Sequence, residues 1–366
     1  MEYEEPKFFQ VMQYAARADG DVIDMVSGNP DWQPPNALRE AVSAYAELES
    51  EAFQYPPSDG LLELRETIAR RRGVSVDQVV ITVGTGEANY LAMARALERD
   101  AGEEAILLDP VYPYYPGKVE LLGGTPRIVP TEHDGGIDVE AIRSAMSDET
   151  ALVVLNTPNN PTGAVYDPTA VEAVIEAATR HDALVVVDEV YREFDYTGDF
   201  ESALTVDSSN RIVTDGFSKS LAITGFRVGY GVFPPEHAEA ARTRHMLVNV
   251  AGPRPSQYAV QHALAGLDPS YHETARDRLR ERIATFTDAL DAAGAEYTTP
   301  EGGFYVLARF EGYPGTTANV ERLIDEIGVA GMPGETFGTT RTDWIRFALV
   351  TPRVEEAAAR LTDRFA

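Results

Sequence analysis

Between residues 79 and 232 the chain alternates short β-branched apolar runs with helical segments, and this alternation limits the fold more than any other feature. Runs at 79–83, 104–108, 127–129, 151–155, 183–187, 211–214 and 228–232 have the length and side chains of strands. Leu184-Val185-Val186-Val187 is apolar without alternation, as a strand covered on both faces must be. Helical stretches such as 87–99 and 168–181 separate the runs, so the pattern predicts a doubly wound α/β sheet, largely parallel, between helical layers. The two ends read differently. Residues 8–16 form an amphipathic helical pattern, 22–26 a strand, and 36–50 and 61–72 helices. Beyond about residue 255, an arginine-rich helix over 269–293 precedes strands at 304–310 and 344–349 and helices at 318–327 and 354–365. The expected division is a large domain of 46–254 and a small α+β domain joining 1–45 to 255–366.

In an open parallel sheet, ligands bind beyond the carboxyl ends of the strands. Four segments lie just after such ends. Thr82-Val83-Gly84-Thr85-Gly86-Glu87 joins a strand to a helix through two glycines, a turn whose backbone N–H groups can hold a phosphate. It has no Walker lysine and is not GxGxxG, so it does not indicate a nucleotide, and alone it is equally a tight turn. Asp188-Glu189-Val190-Tyr191 follows the most apolar strand, where Asp188 serves either as a ligand group or as a helix N-cap. Pro158-Asn159-Asn160-Pro161-Thr162-Gly163 is a turn by composition. Ser218-Lys219 follows the run at 211–214 and precedes Arg227.

Composition sharpens the reading of Lys219. Of the 31 Lys and Arg residues only Lys7, Lys118 and Lys219 are lysines. A lysine kept at a strand end in so arginine-rich a chain points to chemistry that arginine cannot do. An amine can lose its proton and attack a carbonyl, whereas a guanidinium stays charged. A phosphate cradle, an Asp, a Tyr, an Asn, a Lys and an Arg on one sheet edge make the set that pyridoxal phosphate needs.

Charge and missing residue types remove other classes. The net charge of −28, from 59 acidic residues spread along the chain, argues against nucleic acid or an anionic membrane as partner. Dispersed acid with little lysine fits a halophilic protein of a high-salt cytoplasm. The absence of cysteine excludes disulfides, thiol catalysis and thiolate metal sites, and no metal site is expected. Met1-Glu2-Tyr3-Glu4-Glu5 lacks the basic and apolar regions of a signal peptide, and no run approaches about 20 apolar residues, so a soluble cytoplasmic protein is expected.

Taken together, the motifs from Gly28-Asn29-Pro30-Asp31 to Arg346 resemble those of the aspartate aminotransferase family, among the class I/II aminotransferases of fold type I. The resemblance implies an α/β, three-layer pyridoxal phosphate-dependent transferase fold: a mostly parallel seven-stranded sheet in a large domain, with a smaller α+β domain. It implies that Lys219 forms the Schiff base and moves the proton, that Asp188 pairs with the ring nitrogen, and that Tyr191 and Asn160 donate to the ring oxygen. Tyr112 would stack on the ring. Thr85, Gly86, Ser218 and Arg227 would hold the phosphate, together with Tyr55 from the partner of a homodimer. Arg346 would grip the α-carboxylate of amino acid and 2-oxo acid substrates, with Gly28 beside it and Asn160 near it. The implied activity is ping-pong transamination. Alternatives on the same residues are a pyridoxal phosphate-dependent lyase or decarboxylase and a histidinol-phosphate-type aminotransferase. A more remote one is a non-catalytic regulatory protein on this scaffold. Two departures stand out. Gly216 occupies a position, three before the lysine, where many relatives carry a hydroxyl, and Arg254 lies near the region of a distal-carboxylate arginine without matching it. The donor amino acid is left open, with Trp32, Tyr55 and Tyr112 expected around the mouth.

Overall fold

The structure is a computed structural model that describes residues 7–366; residues 1–5, read above for a signal peptide, lie outside that range. Its central sheet contains β1 (Val79–Thr82), β2 (Glu104–Asp109), β3 (Thr125–Pro130), β4 (Thr150–Asn156), β5 (Leu184–Asp188), β6 (Arg211–Gly216) and β7 (Gly229–Val232). Their order across this seven-stranded sheet is β1-β7-β6-β5-β4-β2-β3, parallel except for β7, which runs antiparallel to both neighbours. A second, antiparallel sheet contains β8 (Glu296–Tyr297), β9 (Tyr305–Arg309), β10 (Met332–Pro333) and β11 (Ile345–Ala348). Around the sheets run, among others, α1 (Lys7–Arg17), α2 (Asn36–Tyr45), α3 (Thr85–Leu97), α4 (Tyr114–Leu121), α5 (Arg254–Ala265) and α6 (Tyr271–Ala292).

The pleat explains the layers. Successive residues of a strand point to opposite faces, and here both faces are covered. Ile81, Leu155, Val185, Val187 and Val213 enter one core, whereas Val80, Val154, Leu184, Val186 and Ile212 enter the other. Val185, Val186 and Val187 have no solvent-exposed surface. Each contributes about 1.5–3 kcal/mol relative to an exposed side chain. That double burial is why the sequence of β5 shows no alternation.

A separate core lies under the antiparallel sheet and draws in Val11 of α1, the 23–26 segment, Phe286 and Leu290 of α6, and the C-terminal helix. The seam between the two sheets is aromatic, with Trp32, Tyr191, Phe194, Phe304 and Tyr305 packed together. Leu38 and Ala41 of α2, with Ala259, Val260 and Ala263 of α5, belong to the core of the seven-stranded sheet. Among the described residues no helix is long and apolar enough to cross a membrane, and no cluster of acidic and histidine side chains is placed to hold a metal ion.

Candidate active site

The parallel strands deliver their carboxyl ends to one edge. Thr85 and Gly86 follow β1, Tyr112 follows β2, Asn160 follows β4, Asp188 ends β5, and Ser218 and Lys219 follow β6. β7 runs the other way, so Arg227 stands just before its first residue at the same edge: Gly229 pairs with both Thr82 and Gly216. All these side chains, together with Gly28 and Arg346, line one cavity of about 430 Å³.

At its floor, Asp188 is buried. One carboxylate oxygen accepts from Asn89 Nδ2 and from the Tyr115 hydroxyl, each at 2.7 Å, and the other from the Val190 amide at 3.1 Å. Asn89 is itself held by Thr214, whose hydroxyl donates to its carbonyl at 2.6 Å. Loss of hydration raises the Asp188 pKa, and the hydrogen bonds from Asn89 and Tyr115 oppose the rise. A dry carboxylate of this kind favours a positively charged N–H facing it. Directly behind, Glu189 and Asp215 share Arg72, while Arg192 and the Tyr230 hydroxyl also reach Asp215, at 2.8 and 2.6 Å. This network ties β5 to β6 close to Asp188 and Lys219. Removing one partner would strand a buried charge, at a cost of about 3–5 kcal/mol.

Lys219 faces the cavity, and its Nζ donates to the Gly28 carbonyl at 2.6 Å. Loss of hydration lowers its pKa to about 8, with the Arg346 and Arg227 charges acting in the same direction. A Cβ at Gly28 would collide with the Tyr305 hydroxyl, so the close approach of the two favours glycine. That hydroxyl lies 3.1 Å from the hydroxyl of Tyr191. Arg346, in the middle of β11, is 1% exposed. Its guanidinium stacks on Tyr305 at 4.3 Å, donates to Asn160 Oδ1 at 3.1 Å and also reaches the Val26 carbonyl. Its Nε has no hydrogen-bond partner among the described residues. A buried guanidinium with an unspent N–H fits a carboxylate.

The anion cradle follows from two glycines. Gly84 turns the chain in the left-handed region, at φ 75°, and a Cβ there would collide with the Arg227 guanidinium. Gly216 abuts Thr85, and a Cβ at 216 would collide with the Thr85 hydroxyl. That hydroxyl is buried and has no partner among the described residues. The hydroxyl absent at position 216 is therefore matched by one at position 85, in the space a side chain at 216 would need. An orphaned hydroxyl at the first turn of α3, beside Arg227, fits a phosphate. With Asp188 and Lys219, these residues fit pyridoxal phosphate.

Tyr55 stands apart: it is 82% exposed and does not line the cavity. Trp32 is also away from the mouth, buried in the seam against Phe194 at a ring distance of 5.9 Å, so the expected aromatic mouth is reassigned. Phe8 and Tyr114 line the cavity together with Tyr112. Arg254 opens α5 and donates to the Gln54 carbonyl at 3.2 Å, without lining its own chain's cavity. Sequence reasoning missed Asn89, Tyr115, Asn156, Tyr305 and Lys118. Asn89, Asn156 and Tyr305 lie within a helix or strand, where they read as scaffold, and Tyr115 lies in a helix whose prolines read as loop. Lys118 carried a signal in the scarcity of lysine.

The family model for aminotransferases of class I and II matches residues 20–361. An aspartate/prephenate aminotransferase of Thermus thermophilus is 33% identical over 357 residues, covering 94% of this chain and 90% of the relative. An aspartate aminotransferase of Thermotoga maritima is 33% identical over 353 residues, covering 94% and 91%. The structure of Thermus thermophilus aspartate aminotransferase with maleate superposes with a TM-score of 0.91 at 30% identity, covering 99% of this chain and 96% of that one.

Proposed function

The chain belongs to the aminotransferase class I and II family and is a pyridoxal phosphate-dependent aminotransferase, and from that premise we propose that the cavity around Lys219 is where amino groups are transferred. The observation that carries this reading is the placement of the Lys219 amine, at a pKa near 8, in one cavity with Asp188 and Arg346. Bound pyridoxal phosphate supplies an electron sink that makes a Cα–H bond acidic. Lys219 would hold it through its amine, Asp188 at the ring nitrogen, and Tyr191 and Asn160 at the ring oxygen, with Tyr112 against its face. Thr85, Gly86, Ser218 and Arg227 would hold the phosphate.

Arg346 receives the substrate α-carboxylate, beside Gly28 and Asn160, and so turns the Cα hydrogen toward Lys219. Lys219, released from the cofactor when the substrate amine takes its place, would then accept and move that proton. The first half-reaction releases a 2-oxo acid and the second runs the same steps backward with another oxo acid. The names of the relatives favour an acidic donor such as aspartate. A half-reaction screen tests the reading: each amino acid is added to the holoenzyme while the cofactor's absorption and the released acid are followed. Oxo acid with retained carbon is expected, whereas carbon dioxide or an eliminated group would sink it.

Tyr55, Phe53 and Leu62, with Met246, Leu247, Val248 and Val250, are large apolar side chains left exposed. They support a homodimer in which Tyr55 completes the partner's phosphate site. Two domains divide near the expected limits of 46–254 and 1–45 plus 255–366, with α2 and α5 counted with the large sheet whose core they join. The charge of −28 supports a salt-adapted cytoplasmic protein. Its melting temperature should rise between about 0.01 and 1 M potassium chloride, as the Debye length falls from about 30 to 3 Å. A flat or falling trend would contradict salt adaptation.

A further inference from the structure

Lys118 is the second lysine of the cavity, and the roles above leave it unused. It lies on α4, four residues after Tyr114 and three after the Tyr115 that holds Asp188. Its Nζ has no ion pair and no hydrogen bond among the described residues; its recorded contact is the Tyr114 ring, 5.6 Å to the centroid. Loss of hydration lowers its pKa to about 8, and the Asp188 charge opposes that only in part. Asp188 is already engaged by Asn89 and Tyr115. Lys118, half-buried on the cavity wall, is thus a cation that has lost part of its water and gained no counterion, an arrangement that an incoming anion completes.

The cofactor's phosphate does not need it, since Thr85 and Arg227 form that cradle. The wall between Lys118 and Arg346 has its own chemistry. The Arg346 guanidinium carbon lies 5.9 Å from the Phe8 ring centroid, Phe8 lies 6.0 Å from Tyr114, and Tyr114 lies 5.6 Å from Lys118 Nζ. A cation stands at each end of an aromatic strip. In the same cavity Gly86 leaves open space, as a Cβ there would meet nothing within 4 Å. A substrate matching this wall is anionic at both ends and apolar between them.

We infer that Lys118 is a specificity-determining residue that receives a side-chain carboxylate, so that the preferred donor and acceptor are dicarboxylic. This rests on the transaminase reading of the same cavity. It places the distal anchor on a lysine of the same subunit, so Arg254 need not supply it. A charge-assisted hydrogen bond that a monocarboxylate cannot make corresponds to about ten- to hundredfold in affinity.

The test uses the holoenzyme and two unreactive four-carbon acids, succinate and butyrate, which differ in one carboxylate. Dissociation constants are read from the cofactor's absorption, without turnover. Wild type should bind succinate at least about tenfold more tightly than butyrate. Lys118→Met should reduce that ratio about ten- to hundredfold, and Lys118→Arg should keep most of it. The kcat/KM ratio of aspartate to alanine should fall in parallel. If Lys118→Met does not fold, Lys118→Gln replaces it. A wild-type ratio near one, or a ratio in the neutral variant within about twofold of wild type, overturns the assignment. Failure of every amino acid to transaminate would sink the reaction reading instead, and the succinate-to-butyrate ratio would still judge Lys118.

Discussion

On the wall built from strand ends, Asp188 has three protein donors, Asn89 is held by Thr214, and the charges behind them are paired. On a second wall, built from Phe8 of α1, Tyr114 and Lys118 of α4 and Arg346 of β11, Arg346 Nε and Lys118 Nζ have no hydrogen-bond partner among the described residues. The first wall is organised before any ligand arrives, so its groups need no rearrangement during the reaction. The second keeps donors in reserve, where the proposed reading puts substrate atoms. Thr85 is the exception on the first wall, and its free hydroxyl marks a ligand position there as well.

The largest expected effect breaks the first wall at its reactive group. Lys219→Ala and Lys219→Arg should fold, as judged by circular dichroism, and show no transamination; wild-type turnover in either would end the assignment. In wild type, the rate at which pyridoxal phosphate loads onto the apoprotein should rise with pH and reach half its plateau near 8. The amine attacks only when neutral, and burial holds its pKa near 8, below the ordinary lysine value. A midpoint near the ordinary value would show that the amine is hydrated.

Asp188→Asn should lower kcat by about 10²–10³ while retaining cofactor; an unchanged kcat would reduce Asp188 to a helix cap. On the substrate wall, Arg346→Lys should cost about ten- to hundredfold in kcat/KM, because a point charge replaces a fork. The loss should be equal for aspartate and alanine, since both carry the α-carboxylate, and a loss confined to one would place Arg346 at the side chain. The smallest effect belongs to the exception. Thr85→Val should weaken pyridoxal phosphate about two- to tenfold and leave pyridoxal unchanged. Equal weakening of both would remove the hydroxyl from the cradle.

The same contrast explains what was legible in the chain. The strand-end residues were readable because a parallel sheet fixes where its ends lie, and Lys219, Asp188, Asn160 and Arg227 each sit beside a recognisable run. Asn89 and Tyr115 were not, because their importance comes from meeting Asp188 across the fold. Tyr305 read as a core aromatic within a strand, and only the contact with Gly28 and Arg346 gives it a site role. Helix α4 went unread because Pro113 and Pro116, with Gly117, make its sequence look like loop. Lys118 was hidden with it. The replacement of a hydroxyl at 216 by one at 85 was invisible for the same reason, since it depends on two segments touching.

The reversed direction of β7 sets a length rule for this enzyme. A parallel connection would take the chain back across the molecule through a crossover, usually a helix, before it re-entered the sheet. Here the segment from Ser218 to Gly229 never leaves the site edge, so the amine of Lys219 and the guanidinium of Arg227 are delivered by one short, continuous stretch. Spacing along that stretch is part of the chemistry. An inserted or deleted residue would move one of the two groups relative to the other with no crossover helix to absorb the change. Connections at the far edge of the sheet can vary in length without that consequence.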